Sequence, residues 1–412
     1  MTIQSEFQAV VLAAGRGSRM LEITSNQPKC LLPVGPKPLL WYILIKLQSC
    51  GFTDVILIVL ENQKAEIQNV LDKELETGSL DLKIDFVGIS EEKEDLGTAE
   101  SLRLKEVQEK LKSDVLVASC DLICDLNFVE ILNVFRKHNA SIVSVMFPSQ
   151  SGDSVVVPGP KSKQKHERDL VGIDEQTGRL VFLASESDFE TDVSLPINLL
   201  KKHPKIKIYS KLIDSHIYIL KHWVIQYLKN EDGFSSLKGE FIPYVVKKQL
   251  SRPQNPTNMN VSVVNTRDPR DIFNFSNENE LDLMIRDASS YNDHTGDLKP
   301  TYHNDTIRCY AYIAPKGFMG LRVNTLQAYW SINGKIQEIW DKVSCNMEIV
   351  KKSSKAEIES NQIDEKCILW DGCKLKEKTS FKNCVIGSNS IVNSFSRVFN
   401  SIVMNNVVLK EK

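Results

Sequence analysis

The sequence predicts an α/β protein: a doubly wound domain followed by a short C-terminal left-handed parallel β-helix. Three observations carry this prediction. Short apolar runs alternate with helix-period stretches through the first half of the chain. Those runs are apolar on both faces, which requires a sheet covered by helices on both sides. The tail, CVIGSNSIVNSFSRVFNSIVMNNVVL (384–409), repeats small apolar residues at intervals near six, the spacing of the flat coils of a β-helix.

Taken in order, FQAVVLAA (7–14), LLWYILIKLQSCG (39–51), DVILIVL (54–60) and an amphipathic stretch to about Leu75 alternate as strand and helix. A second unit runs through helix-like TAESLRLKEVQEKL (98–111), strand-like DVLVASCD (114–121), helix-like FVEILNVFRKHN (128–139) and strand-like ASIVSVMF (140–147). The basic run KSKQKHER within 149–168 reads as a solvated hairpin loop. Strand patterns return at LVGID, at RLVFLAS and at KIYSKLIDSHIYIL (207–220), and GEFIPYVVKKQL (239–250) closes the region as a helix whose Pro243 fits a first turn. The domain is therefore expected over 1–250. A polar, partly disordered linker follows over 251–306, rich in Asn, Pro, Asp and Ser, with a short helix near Glu280–Ala288. RCYAYIA (308–314) and NTLQAYWSING (324–334), the latter read as a helix ended by its glycine, form a closing strand-helix segment over 307–340. The β-helix is expected over 341–412, short or truncated, with about two coils and with Val385, Ile391 and either Phe395 or Ile402 facing inward. A few ordinary strands are the alternative reading of this tail.

At 412 residues the chain exceeds one ordinary core, and 42% apolar with 25% charged residues is a globular composition. A net charge of −2 provides no global attraction to nucleic acid or anionic lipid, so neither is expected as a partner. The nine cysteines are scattered without a CxxC pair and read as free thiols. MTIQSEFQ is no signal peptide, and apolar runs such as Leu39–Ile45 and Val55–Leu60 are far short of a membrane span, so a cytosolic location is expected.

Chemistry is suggested first by Gly15-Arg16-Gly17-Ser18-Arg19-Met20. It is neither a dinucleotide fingerprint nor a Walker loop. It follows a buried strand, however, and Pro28-Lys29 lies ten residues on. Gly15 and Gly17 would let backbone N–H groups approach phosphates, which Arg19 and Lys29 would neutralise. The alternative is a plain βα turn with solvated basic residues. Asp121 ends an apolar strand, where open α/β sheets place their ligands, and a carboxylate there suits magnesium; a capping or solvated aspartate is the alternative.

Leu-Ala-Ala-Gly-Arg-Gly-Ser-Arg-Met (12–20), followed by Gln-Pro-Lys-Cys-Leu-Leu-Pro-Val-Gly-Pro-Lys-Pro-Leu (27–39), resembles the start of the nucleotidyltransferases that make nucleotide sugars. The resemblance implies a nucleotidyltransferase-like domain with a left-handed β-helix behind it. It also implies triphosphate contact by Gly15–Arg19, phosphate contact by Lys29, base and sugar contact around Gly97 and Thr98, and magnesium on Asp121. The chain then departs from that pattern. Ala184-Ser185-Glu186 stands where those enzymes carry Glu-Lys-Pro, and Leu321-Arg322-Val323-Asn324-Thr325 stands where they carry a second metal-binding aspartate. An acidic turn, Glu91–Asp95, lies just upstream of Gly97.

The departures are similar to those of the gamma subunits of eukaryotic translation initiation factor 2B. They include Ser119-Cys120-Asp121-Leu122-Ile123, the segment 168–174, the segment 241–249 and Arg308-Cys309-Tyr310-Ala311-Tyr312-Ile313. This resemblance implies a cytosolic subunit of the factor that exchanges GDP for GTP on initiation factor 2. Its partners would be the catalytic epsilon subunit and the alpha, beta and delta subunits, with no catalytic residue of its own. It implies no required cofactor, with residual nucleotide and magnesium binding left open. Two other readings stand beside it: an active sugar-phosphate nucleotidyltransferase such as a mannose-1-phosphate guanylyltransferase, and a nucleotide-sensing regulator.

Overall fold

Three apolar runs become parallel strands, β1 (Phe7–Leu12), β2 (Asp54–Leu60) and β4 (Asp114–Ser119). They are joined by a strand the sequence reading passed over, β3 (Lys83–Ile89), whose Lys83 and Asp85 are exposed, in the order β3-β2-β1-β4. The structure is a computed structural model, and it describes residues 6–90, 96–148, 169–185, 188, 192–251, 270–276, 278, 280–288, 305–315, 317–345 and 347–410. The basic run at 161–168, the acidic turn at 91–95 and most of the expected linker lie outside those residues.

Alternate residues of the parallel strands enter two separate cores. Ala9, Val11, Val55, Leu57, Leu116 and Ala118 pack on one face, and Val10, Ile56, Ile58, Val115 and Val117 on the other. This is why the strands read as unbroken apolar runs: neither face meets water. Between β1 and β2 lies α1 (Leu39–Ser49), buried around nearly its whole circumference, and α2 (Glu61–Glu76) joins β2 to β3. The helical stretch expected at 98–111 is two short helices, α3 (Thr98–Arg103) and α4 (Lys105–Gln108), separated by Leu104 in an extended conformation.

The remainder of the nine-stranded sheet is not the uniformly parallel set of a simple doubly wound fold. After β5 (Leu122–Cys124), α5 (Phe128–Lys137) leads to β6 (Ile142–Pro148); then come β7 (Asp169–Asp174), β8 (Leu180–Ser185) and the long β9 (Ile206–Leu220). β9 is antiparallel to β7 through its first part, and its last part lies between β4 and β6, antiparallel to both. The register between Asp214 and Tyr218 is bulged, with His216 at φ 57°. A bulge re-aims a side chain, and here His216 lines the cleft described below.

After α6 (His222–Asn230), α7 (Ile242–Lys248) carries Pro243 in its first turn as expected, and α8 (Glu280–Ala288) is the short helix anticipated inside the linker. β10 (Cys309–Ile313) adds in parallel to β6, and β11 (Gly320–Arg322) forms a small antiparallel ladder with β5. α9 (Leu326–Val343) starts at Thr325, whose side chain accepts from the Ala328 N–H at 3.2 Å. Contrary to expectation, Gly334 does not end this helix. The apolar stripe Ile332, Ile336, Ile339, Trp340 and Val343 continues past it, and burial of that stripe outweighs the glycine's cost of about 1 kcal/mol.

The tail is a parallel β-helix of three short sheets. Glu357, Lys374, Ile391 and Val408 stack along one side, Gln362, Ser380 and Arg397 along the second, and Ile368, Val385 and Ile402 along the third. The stack reaches back to Lys352, which bridges Leu369, so there are more coils than the two read from the sequence. The inward residues are Leu369, Leu375, Phe381, Ile386, Val392, Val398 and Val403. None of the expected Val385, Ile391, Phe395 and Ile402 is among them. Val385 and Ile402 turn outward onto the core of the α/β domain and Ile391 is half-buried, because the inward position of those sides is the residue after the one the spacing picked; Phe395 is 65% exposed at a corner.

Candidate functional site

The C-terminal ends of β1 and β2 open into a cleft of about 760 Å³ lined by Gly15, Gly17, Arg19, Lys29, Thr98 and Arg322, among others. Open α/β sheets place ligands at this edge. The glycine loop leaves β1 through Ala13, whose N–H is held by the Ile58 carbonyl at 2.8 Å. Gly17 has φ +71°, and a Cβ there would lie 2.9 Å from Thr24 Cγ2, so both its backbone and its surroundings require glycine. Gly15 faces open space and has no such requirement.

Asp121 lies beneath the cleft, not on its lining, and is 1% exposed. Lys29 Nζ is 2.5 Å from its Oδ2, Arg322 Nη2 is 3.2 Å from the same oxygen, and Arg322 Nε is 3.3 Å from Oδ1. The Ser119 hydroxyl donates to Oδ1 at 2.8 Å. Burial alone would raise the Asp121 pKa, but the Lys29 and Arg322 charges outweigh it and hold the carboxyl well below the usual carboxylate range. The neighbouring Cys120 thiol is pushed up to about 12 by burial and by Asp121. Lys29 thus reaches the cleft already paired with the aspartate read as a metal ligand. Asp121 itself does not fit that role: both its oxygens are engaged by protein donors, and no group of three or more metal-capable side chains occurs among the described residues.

Gly97 and Thr98 divide differently. The Leu96 and Thr98 side chains line the cleft, but the backbone of the pair is packed against the segment Ser235–Leu237. Ala99 N–H donates to the Ser235 carbonyl at 2.9 Å, and Thr98 Oγ1 accepts from Leu237 N–H at 2.8 Å. A Cβ on Gly97 would lie 2.1 Å from the Ser235 carbonyl oxygen. The glycine is therefore required by this close approach of two chain segments.

The sequence did not single out His216, Asp169 or Lys238 on the cleft wall, nor the position of Arg322. Asp169 and Lys238 pair at 3.1 Å. No local spacing links these residues to the glycine loop, since β7, β9 and β11 reach the cleft only through the fold. Arg322 was visible only as a missing carboxylate.

The fold and this loop set define a nucleotidyltransferase-like protein, and the nucleotidyl transferase family model matches residues 8–154. Similarity over nearly the whole chain is to gamma subunits of translation initiation factor eIF2B. That of Schizosaccharomyces pombe is 29% identical over 384 residues, covering 93% of this chain and 74% of that protein. That of Caenorhabditis elegans is 29% identical over 339 residues, covering 81% and 69%. A mannose-1-phosphate guanyltransferase of Aspergillus oryzae is 32% identical, but over 164 residues that cover only 39% of this chain and 43% of that enzyme. Over most of its length, β-helix region included in part, the chain is thus similar to eIF2B gamma subunits, and over its first third it matches the nucleotidyl transferase model.

Proposed function

We propose that the chain acts as a gamma-type subunit of the eIF2B guanine nucleotide exchange factor in translation initiation. One observation carries this reading: similarity to eIF2B gamma subunits extends over as much as 93% of the chain, whereas similarity to the guanyltransferases is confined to 39% of it. In this reading the chain provides binding surface and assembly. It sits in the cytosol with the epsilon, alpha, beta and delta subunits and acts on initiation factor 2, with exchange catalysis residing on epsilon. No described helix is long and apolar enough to cross a membrane.

The site supports the same reading. Gly15, Gly17, Arg19, Lys29 and Thr98 keep a shape able to admit a nucleotide, but transfer to a sugar phosphate develops charge on a pyrophosphate leaving group that needs cations free to meet it. Lys29 and Arg322 are committed to Asp121. The test is to purify the tagged chain from cells and identify its companions. Recovery of the other four eIF2B subunits is the expected result. Recovery of the chain alone, releasing pyrophosphate from a nucleoside triphosphate, magnesium and a hexose-1-phosphate at about 1 per second, would establish the transferase reading instead.

A further inference from the structure

We propose that this cleft excludes a divalent metal, with Arg322 serving as a built-in cation on Asp121. A divalent cation binds a carboxylate through oxygen lone pairs that face it. An ionised carboxylate offers about four acceptor sites, and Asp121 meets four donors. Oδ1 takes the Ser119 hydroxyl and Arg322 Nε; Oδ2 takes Lys29 Nζ and Arg322 Nη2. Arg322 holds both oxygens with a planar fork, the geometry that makes arginine–carboxylate pairs rigid.

The backbone fixes this arrangement independently of any ligand. β11 pairs antiparallel with β5, Arg322 stands opposite Leu122, and Val323 N–H donates to the Asp121 carbonyl at 2.7 Å. The guanidinium is therefore held against the carboxylate by the ladder that follows Asp121 directly. The charges agree: Lys29 and Arg322 already neutralise Asp121, so the carboxylate keeps no uncompensated charge to draw a further divalent ion. Two other acids line the cleft: Asp169 is engaged by Lys238 at 3.1 Å, and Asp188 accepts from the Ser185 N–H at 3.2 Å. The cleft thus presents cationic side chains without needing a metal to supply charge.

Manganese counting by electron paramagnetic resonance, on the full chain within its subunit complex, tests the proposal. Wild type and Asp121→Asn are expected to bind the same number of ions at millimolar manganese. One ion per complex bound by wild type and lost in Asp121→Asn overturns it. A thermal double-mutant cycle with Asp121→Asn and Arg322→Gln gives a second readout. Each single change is expected to lower the melting temperature by several degrees, and the pair by no more than the larger single loss; additive losses overturn the proposal. If the variants do not fold, magnesium titration of wild type still decides, because a saturable rise in melting temperature contradicts the proposal and a flat response supports it. The outcome is separable from the assignment to the exchange factor, which is read from companion subunits and not from metal.

Discussion

At the scale of single residues, Asp214 has the clearest consequence for pH. It is buried in the bulge of β9, where its carboxylate accepts from the His216 N–H at 2.7 Å and the Tyr218 hydroxyl at 2.8 Å. Burial raises its pKa from an ordinary 3.8 to about 6, against the lowering influence of the His216 N–H, Lys238 and Tyr218 and with a further rise from Asp169. An acid with a raised folded-state pKa contributes stability that is fully present below its unfolded pKa and is lost as pH rises through the folded value. Asp214 is therefore expected to lose about 3 kcal/mol of stabilisation between pH 4 and pH 7, from the linkage of pKa to stability. Asp214→Asn should flatten that part of the curve in denaturant melts taken across this range, and an unchanged slope would show that another group dominates. Gly97 carries a second expectation. Gly97→Ala forces a methyl onto the Ser235 carbonyl and should destabilise the chain by about 2 kcal/mol, as overpacking does, whether or not nucleotide is present; a denaturant midpoint measured with and without GTP distinguishes this from a ligand contact. These residues also mark what sequence could and could not reveal. The glycines were legible as glycines because a strand end followed by GxG is a local pattern. The reason for Gly97 was not, because Ser235 meets it from 138 residues away along the chain.

At the scale of elements, the β-helix corners explain both the success and the error of the periodicity reading. Each turn needs a residue in the left-handed region, and corner positions recur in successive coils: Gly372, Asn389 and Asn406; Lys378 and Phe395; Asn383 and Asn400. Asparagine tolerates this backbone better than other side chains except glycine. It also forms ladders between coils, with Asn383 Nδ2 donating to Asn400 Oδ1 at 3.0 Å. The repeat was therefore visible from 384 onward, where small apolar and Asn residues dominate. The earlier coils escaped notice because CKLKEKTSFKN (373–383) is mostly outward-facing charge, with only Cys373, Leu375 and Phe381 turned inward. Phe395 misled because a large apolar side chain occupies a corner, its ring under Lys378 Nζ at 5.0 Å. Asn400→Val should cost about 1–2 kcal/mol, the left-handed penalty for a branched side chain plus a lost ladder bond. Asn400→Gly should retain most of the stability. Amide exchange over 384–409 reads the difference, with up to tenfold or more faster exchange expected in the valine variant alone.

At the scale of the whole molecule, the segment Pro33–Pro38 is where three parts of the chain meet. The sequence placed it in a phosphate-binding stretch, and Lys29 does reach the cleft, but the residues after it perform a different task. Tyr42 of α1 donates its hydroxyl to the Val34 carbonyl at 2.6 Å, and Tyr329 of α9 donates to the Pro33 carbonyl at 2.7 Å. Gly35 N–H donates to Asn333 Oδ1 at 2.9 Å, while the Gly35 carbonyl accepts from Trp370 Nε1 of the β-helix at 2.7 Å. Ile336 closes over Gly35, whose φ of +58° and 2.9 Å Cβ clearance leave no room for a side chain. Trp370 also packs with Met404 and Ile402 on the main core, which already contains Ile368 and Val385. The β-helix is therefore fastened to the α/β domain through Trp370 and its apolar neighbours, with Gln337 Nε2 donating to the Lys366 carbonyl and Asn405 Nδ2 to Gln27 Oε1 beside them, so it is stabilised by that docking as well as by its own coils. Trp370→Ala removes both the bond and much of the packing and should cost about 3 kcal/mol, the lower end for losing a tryptophan from a core because this one is only partly buried. Trp370→Phe keeps most of the ring contact and should cost about 1 kcal/mol, the value of one hydrogen bond. Limited proteolysis at 344–352 and amide exchange in α9 separate local damage from undocking. Faster cleavage there with the exchange of β1–β4 unchanged is the expected pattern for Trp370→Ala, whereas uniform acceleration through the sheet would mean that the α/β domain depends on the β-helix for its own fold.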